Sequence, residues 1–506
     1  MFVSEVYVRP KISILTELVV LGTKPSGLTL FGLTLLGLTL AGPPGAGASG
    51  ADPGAITVAA PSGLAPDDSG ATRADVPASV VPAPVAPADE PAAESWAIHG
   101  QATNVWQYHP GFSSSIPRGA NSLDNGSSVA ETLSVTLFGG VRLWEGAEAW
   151  ISPEIDQGYG LSGTFGIAGF PNGEAYQIPN RGPYVRVPPI FLRQTIGLGG
   201  ATEKVEPDLT VLGGTQSANR VVITIGKFSV ADVFDKNTYA HDPRNDFLNW
   251  TIIDAGAFDY VGDDWGYTFG GSVEWYQDWW TIRAGLFDET LLPDSKYVSA
   301  PLGTQSQALS EFEARYDLLD QPGKVRLLFF GTRARMSSYY DAIAQGVALG
   351  VPATDEGVRR LRTKAGIVLN IEQQVVKDLG VFVRASQQDP GVLSNAFTDV
   401  TQSVSAGVSL TGSRWGRPDD TVGLAGVVNL ASHALRAYLA AGGLGIVIGD
   451  GQLRASGPEQ IVEAFYSFAV MKGVYLGADY QFVNNPGYNR ERGPVSVLGL
   501  RLHAEF

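Results

Sequence analysis

The chain has no cysteine among its 506 residues. Disulfide frameworks, thiolate metal sites, cysteine nucleophiles and a lipid-bearing N-terminal cysteine are all excluded. Histidine is scarce too, with 5 copies (His99, His109, His241, His433 and His503), none in the H-x-H or H-x-x-x-H spacing of a zinc site. Charged residues make up only 17% of the sequence, and the 35 basic side chains are outnumbered by 51 acidic ones. A net charge of -16 disfavours a nucleic-acid coat, whose energetics require a basic face, and equally an anion pore lined by lysines. No G-x-S-x-G elbow stands in a suitable context, and paired catalytic carboxylates cannot be picked out by spacing. What is abundant is glycine, at 62 residues, and aromatics, with 10 Trp, 18 Tyr and 22 Phe. That mixture suits a β-rich protein.

The chain divides into three parts. Residues 1–48 read as an N-terminal extension and signal peptide: the run Leu28–Leu40 is too short to span a bilayer comfortably but fits a signal core, and Ala46-Gly47-Ala48 supplies small residues for cleavage. The stretch before it, with a second apolar patch at Ile14–Leu21, is long for such a leader; a misplaced start codon explains it better than a membrane anchor does. Residues 49–95, exemplified by Val81-Pro82-Ala83-Pro84-Val85-Ala86-Pro87, hold too little apolar surface to offset their chain entropy and are expected to form a disordered periplasmic spacer. The working part is 96–506.

From Trp96 onward the pattern reads in twos. Trp265–Tyr276 alternates large and small residues, turns at Gln277-Asp278, and returns as Trp280-Thr-Ile282-Arg-Ala284-Gly-Leu286-Phe287, which predicts a hairpin. Similar segments occur at Thr132–Leu137, Phe312–Leu318, Ala365–Ile371, Val381–Ala385, Val404–Leu410, Val422–Val428, Val474–Phe482 and Val495–Phe506. Their lengths match tilted bilayer-crossing strands. Polar stretches such as Asp156–Pro189 and Gly199–Asn219 are expected to be long external loops. A soluble sandwich also alternates, but aromatics here gather at strand ends, as in a membrane girdle, and the last strand closes on Phe506. The predicted fold is all-β, a transmembrane antiparallel up-and-down barrel of 16 strands, or alternatively 18, with external loops partly folded into the lumen. A barrel of that size holds an aqueous channel.

Opposite the apolar faces stand Glu274, Arg283, Glu313, Arg315, Asp317, Glu372 and Arg384, with Asn370, Asp479 and Gln481. Mixed charge signs suit hydrogen bonding to neutral hydroxyls better than strong ion selectivity. Each of these side chains has a plainer reading as a solvated wall residue. Trp275, Trp279 and Trp280 fit girdle anchors better than sugar platforms, and Ala434–Leu444 fits a short helix in an external loop.

Several blocks resemble the carbohydrate-selective porins of the OprB type: Leu143–Glu148 leading to Pro153–Gly158, Gly169–Glu174, Phe191–Thr195, Gly226–Asp232, Phe234–Asn237 with Tyr239, and Asp242–Trp250. Their order and spacing carry the likeness. The resemblance implies a sixteen-stranded barrel through which glucose and related sugars diffuse without energy coupling, past a constriction shaped by loops, arginines and carboxylates. It brings Glu154, Arg193 and the acidic block Asp232–Asp246 to that constriction. Arg193 shares a face with Phe191 and Thr195 and offers a fork of donors to vicinal hydroxyls, or else a wall ion pair with Glu154 or another carboxylate. The block at Asp242-Pro243-Arg244-Asn245-Asp246 has turn chemistry and reads as a folded-in loop, a surface loop or a weak cation site.

The expected location is therefore the outer membrane of a Gram-negative bacterium. Its partners would be outer-membrane lipid and lipopolysaccharide, the barrel-assembly machinery through Phe506, neutral sugars and, in a homotrimer, two further copies; no cofactor, metal or nucleic acid is expected. A general small-solute porin without sugar selectivity is the main alternative, and an outer-membrane enzyme or a tail-based adhesin the lesser ones.

Overall fold

The computed structural model describes residues 93–175, 180–187, 189–293, 295, 297–298 and 303–506. The signal segment, the proposed cleavage site and all but the last three residues of the spacer lie outside them. The described chain forms β1 (Trp96–His109), β2 (Ser128–Trp144), β3 (Ala147–Ile151), β4 (Glu154–Tyr159), β5 (Asn180–Arg186), β6 (Ile190–Val205), β7 (Gly214–Ser229), β8 (Tyr267–Tyr276) and β9 (Trp280–Asp288). It continues through β10 (Ser306–Leu318), β11 (Gln321–Met336), β12 (Arg360–Val376), β13 (Leu379–Gln388), β14 (Gln402–Gly412), β15 (Arg417–Leu430), β16 (Glu459–Met471), β17 (Val474–Asn484) and β18 (Val495–Glu505). Three short helices, α1 (Trp250–Ile253), α2 (Tyr339–Leu349) and α3 (His433–Ala440), lie in the connections.

Every pairing is antiparallel, and β1 pairs with β18 as well as β2, so the sheet closes. Eighteen segments make sixteen staves. One half of β2 pairs with β3 and the other with β4, while β3 pairs with β6 and β4 with β5. Thus β3 with β4 is one stave broken at Pro153, and β5 with β6 is its neighbour, broken beside Pro189. Proline has no N–H for the ladder, which explains why both staves interrupt there. Carbonyls near the breaks remain engaged: Ser152 N–H donates to Pro189 O at 3.0 Å and Leu137 N–H to Pro153 O at 3.0 Å.

Alternation sorts side chains as the sequence indicates. On β18, Leu498, Leu500 and Leu502 face out and are exposed, while Val497, Arg501 and His503 face in and are buried. Trp275 and Trp279 are exposed beside the 277–279 turn, consistent with a girdle. Tight turns lie at one end, such as Leu319-Asp320 with φ of 54° and 58°, the left-handed geometry of a two-residue hairpin. Long connections lie at the other, including 230–266, 337–359 and 431–458. α3 overlaps the predicted helical stretch Ala434–Leu444, beginning one residue earlier and ending four earlier.

Two loop expectations need correction. Asp156–Pro189 is largely barrel wall at its ends, and the described part of its connection is 160–175. Gly199–Asn219 is not external: it is the far end of the β6–β7 hairpin, turning at 206–213 on the short-turn side. It extends past both neighbouring strands, so water reaches both faces and its sequence shows no apolar alternation.

Candidate functional site: the lumen constriction

The connection 230–266 folds inward and is fastened to walls far from it in sequence. Its Asp235 N–H donates to Glu311 at 2.9 Å, and Thr238 donates to Glu372 through both N–H and hydroxyl at 2.8 Å. Leu248 and Asn249 N–H groups donate to Glu463 at 2.5 and 3.0 Å. Asp259, 1% exposed, ion-pairs with the buried Lys364 and accepts from the N–H groups of Asn395, Ala396 and Phe397 at 3.0, 3.2 and 3.0 Å. Buried charges survive only when paired and hydrogen-bonded in this way. The connection 160–175 folds in beside it: Ala168 and Gly169 N–H groups donate to Glu459 at 2.9 and 2.7 Å, and Phe170 stacks on Trp250 at 5.2 Å. Glycines on the wall make room for this packing; a Cβ at Gly380 would meet the Tyr239 ring at 2.0 Å.

These two loops fill the side of the lumen against β12–β17 and leave a passage along β2–β11. A cavity of about 1020 Å³ there is lined by Arg142, Glu148, Glu154, Arg193, Arg244 and Glu274, among others. A second cavity of about 490 Å³ shares Lys236, His241, Arg220 and Tyr276 with the first and reaches Arg283, Glu313 and Arg315. At the narrow part, Glu154 accepts from Thr136 Oγ1 at 2.5 Å and ion-pairs with Arg186, which also holds Asp156. Facing them, Arg244 of the inward loop pairs with Glu174 at 3.2 Å, and Glu174 accepts from Ser134 at 2.7 Å.

The residues singled out from sequence divide by position. Glu154, Arg193 and Glu274 line the larger cavity, and Arg283, Glu313 and Arg315 the smaller. Arg283 binds Glu274 at 3.1 Å and Glu311 at 2.7 Å, and Glu313 bridges Arg315 at 2.7 Å and Arg326 at 2.9 Å. Arg193 does not pair with Glu154; it lies 3.7 Å from Glu148 and donates to Thr210 O at 2.7 Å. Glu372 is taken up by Arg326 and Lys324, each at 3.0 Å. Arg384, 1% exposed, points inward but lies under the loop, donating to the carbonyls of Ile252 and Ala240 at 2.8 Å each. Asp317 stands exposed beside the 319–320 turn, below the constriction. Arg186 and Arg244 were not singled out as individual donors, although Arg244 sits within the acidic block and turn motif. The aromatic faces in the lumen are partly capped by guanidinium groups: Arg193 over Phe191 at 5.0 Å, Arg220 over Tyr276 at 4.1 Å and Arg186 over Tyr267 at 5.2 Å.

His241, on the inward loop, lines both cavities. Burial disfavours its imidazolium, but Asp254, with a carboxylate oxygen 3.6 Å from Nδ1, outweighs that and holds the pKa above its ordinary value.

A family model described as "Carbohydrate-selective porin, OprB family" matches residues 120–506. The chain belongs to the OprB family of carbohydrate-selective porins. As an OprB-family porin it resides in the outer membrane of a Gram-negative bacterium, where sugars diffuse passively through its water-filled barrel and its outer wall meets membrane lipid. Family and fold alike are those of a channel rather than an enzyme. A solved structure of Pseudomonas putida OprB at high pH shares the fold, with a TM-score of 0.62 and 15% identity over 81% of this chain and 94% of that one. The Acinetobacter baumannii outer membrane channel DcaP matches at TM-score 0.43 and 10% identity, covering 81% of this chain and 97% of the other. No curated sequence matches the chain.

Proposed function

We propose that selection in this OprB-family porin occurs where the inward loop faces the broken staves, and that Glu154, Arg186, Arg244 and Glu174 exchange hydrogen bonds with sugar hydroxyls there. The observation that supports this reading is charge pairing: each carboxylate of the narrow part is held by an arginine within the wall or across the gap. A neutral polyol meets donors and acceptors of both kinds, while an ion finds little net field. Arg193, Glu274, Arg283, Glu313 and Arg315 extend the hydrogen-bonding wall toward the short-turn end; Glu372 and Arg384 act as braces for the loop, and Asp317 marks the outlet. No step here involves bond making, and catalysis has no part in the reading.

Liposome swelling with glucose, arabinose and charged analogues of equal size tests it. Faster entry of the neutral sugars supports selection at the constriction, whereas equal rates for all would overturn it in favour of a general small-solute pore. The exposed Phe506 ring at the periplasmic end is the feature that the barrel-assembly machinery would read. Homotrimer assembly belongs to the same reading, suggested by the size of the barrel, and cross-linking in mild detergent checks it. Under the same proposal the chain divides into an N-terminal extension and signal peptide at 1–48, a spacer at 49–95 and the pore at 96–506.

A further inference from the structure

The β6–β7 hairpin reaches beyond the wall at the short-turn end. Pairing of β6 with β3 stops at Gln194, and pairing of β7 with β8 stops at Arg220, yet β6 and β7 stay paired to each other out to Val205 and Gly214. The overhanging part is bent. Its register slips between Gly197 and Gly199 and again between Gly199 and Thr202, and both Gly199 and Gly200 have left-handed φ, at 92° and 90°. Extra residues on one strand of a ladder bend it, and the two glycines allow a backbone that L side chains avoid.

The bend returns the tip to the mouth. Leu212, at the tip, is 2% exposed. Thr210 O accepts from Arg193, Gly213 O accepts from Arg142 at 3.3 Å, and Gly213 exchanges hydrogen bonds with Glu94: its N–H reaches Glu94 Oε2 at 2.7 Å and its carbonyl accepts from Glu94 N–H at 3.0 Å. Glu94 is itself tied to β2, since Arg142 Nε donates to the Glu94 carbonyl at 2.9 Å. Val205, Asp208, Leu209, Thr210 and Leu212 line the same cavity of about 1020 Å³ as Glu154 and Arg244. A sugar leaving the constriction thus meets this tip before the periplasm.

We propose that residues 206–213 form a periplasmic flap, hinged at Gly199-Gly200 and latched by Arg193, Arg142 and Leu212, which sets the upper size of sugar that the pore releases. Size selection then happens twice: hydroxyl matching at the constriction, and clearance at the flap. The latch is one apolar side chain and four hydrogen bonds, three to carbonyls and one to the Glu94 carboxylate, few enough to open and reclose.

The absence of cysteine makes the test clean. The backbones of Glu94 and Gly213 approach closely, with Glu94 N–H donating to Gly213 O at 3.0 Å, so the double substitution Glu94→Cys with Gly213→Cys places the two thiols for a disulfide. The full-length porin carrying this pair is reconstituted in liposomes and followed by swelling with glucose, a disaccharide and a trisaccharide, before and after reduction. The oxidised form is expected to admit the disaccharide at least severalfold more slowly than the reduced form, while each single substitution ignores the reductant. Leu212→Ser, which keeps the chain length and loosens the latch, is expected to let the trisaccharide through faster than the parent does. Identical size profiles in oxidised and reduced forms, with glucose entry intact to show a working pore, would overturn the flap without touching the constriction reading. Heat-modifiable migration of each variant verifies the folded barrel.

Discussion

Along β12–β17 the inward side chains meet the inward loops and are dry, whereas β2–β11 supply the wall residues that line the passage. The strands themselves do not differ in kind. Both halves alternate apolar residues outward with polar ones inward, and both place carboxylates and arginines on the inner face. The difference lies in what the charged groups bind. Glu463 and Glu459 spend their oxygens on backbone N–H groups of the inward loops, and wall Lys364 pairs with the loop's Asp259, so they fix the plug. Glu154, Glu274 and Glu313 spend theirs on wall arginines, so they shape a surface that a solute can touch. One inner-face chemistry thus yields an anchor or a lining, depending on whether a loop arrives.

Substitutions on the anchoring side should therefore damage stability, and those on the lining side selectivity. The largest effect is expected for Asp259→Ala, which leaves Lys364 buried and unpaired at a cost of ~3–5 kcal/mol. Thermal unfolding in detergent should begin at a clearly lower temperature, and conductance should rise as the loop loosens; an unchanged melting curve would erase the distinction between the halves. Next is Glu463→Leu, which strips acceptors from Leu248 and Asn249 N–H groups and should cost about 1–3 kcal/mol for the unsatisfied donors, again read by thermal unfolding. On the lining side Arg244→Ala should leave the melting temperature nearly unchanged and shift the cation-to-anion permeability ratio toward cations by roughly threefold, under ~1 kcal/mol in equivalent energy; reversal potentials in a salt gradient measure it. The smallest effect is a pH dependence at His241. Its pKa is raised by Asp254, so the imidazolium persists above the ordinary histidine range and is lost as pH rises further. Cation preference should climb across that interval, and His241→Asn should flatten the climb.

Strand parity was legible because each outward residue meets lipid and each inward one meets polar groups. Trp265–Phe287, with its turn at Gln277-Asp278, shows this well: the structure has β8 and β9 flanking 277–279. Phe191, Arg193 and Thr195 also share the face that the sequence gives them. The turn chemistry of Asp242–Asp246 allowed a folded-in loop, a surface loop or a cation site, and the inward fold is set by long-range contacts such as Arg244 with Glu174. What covers Arg384 was not legible, because Ile252 and Ala240 lie more than a hundred positions away and no local pattern links them. For the same reason the partner of Arg193 stayed open between Glu154 and another carboxylate: Glu148 and Thr210 reach it only through strand pairing and the hairpin turn. Gly199–Asn219 was misread since a hairpin wet on both faces carries the composition of a loop. The two proline breaks explain the choice between sixteen and eighteen strands, as both numbers describe the same wall counted differently.

The seam between β1 and β18 bears on time as well as space. Thr103 Oγ1 meets His503 Nδ1 at 2.8 Å across 400 positions, and Gly100 and Phe506 exchange both backbone hydrogen bonds at 3.2 and 2.9 Å. Until β18 arrives, β1 presents an unpaired ladder edge, the surface on which chains aggregate. Closing so distant a contact is intrinsically slow. The chain must therefore be kept from its own kind between leaving the ribosome and entering the membrane, and the length of that vulnerable interval is written into where the ring is joined.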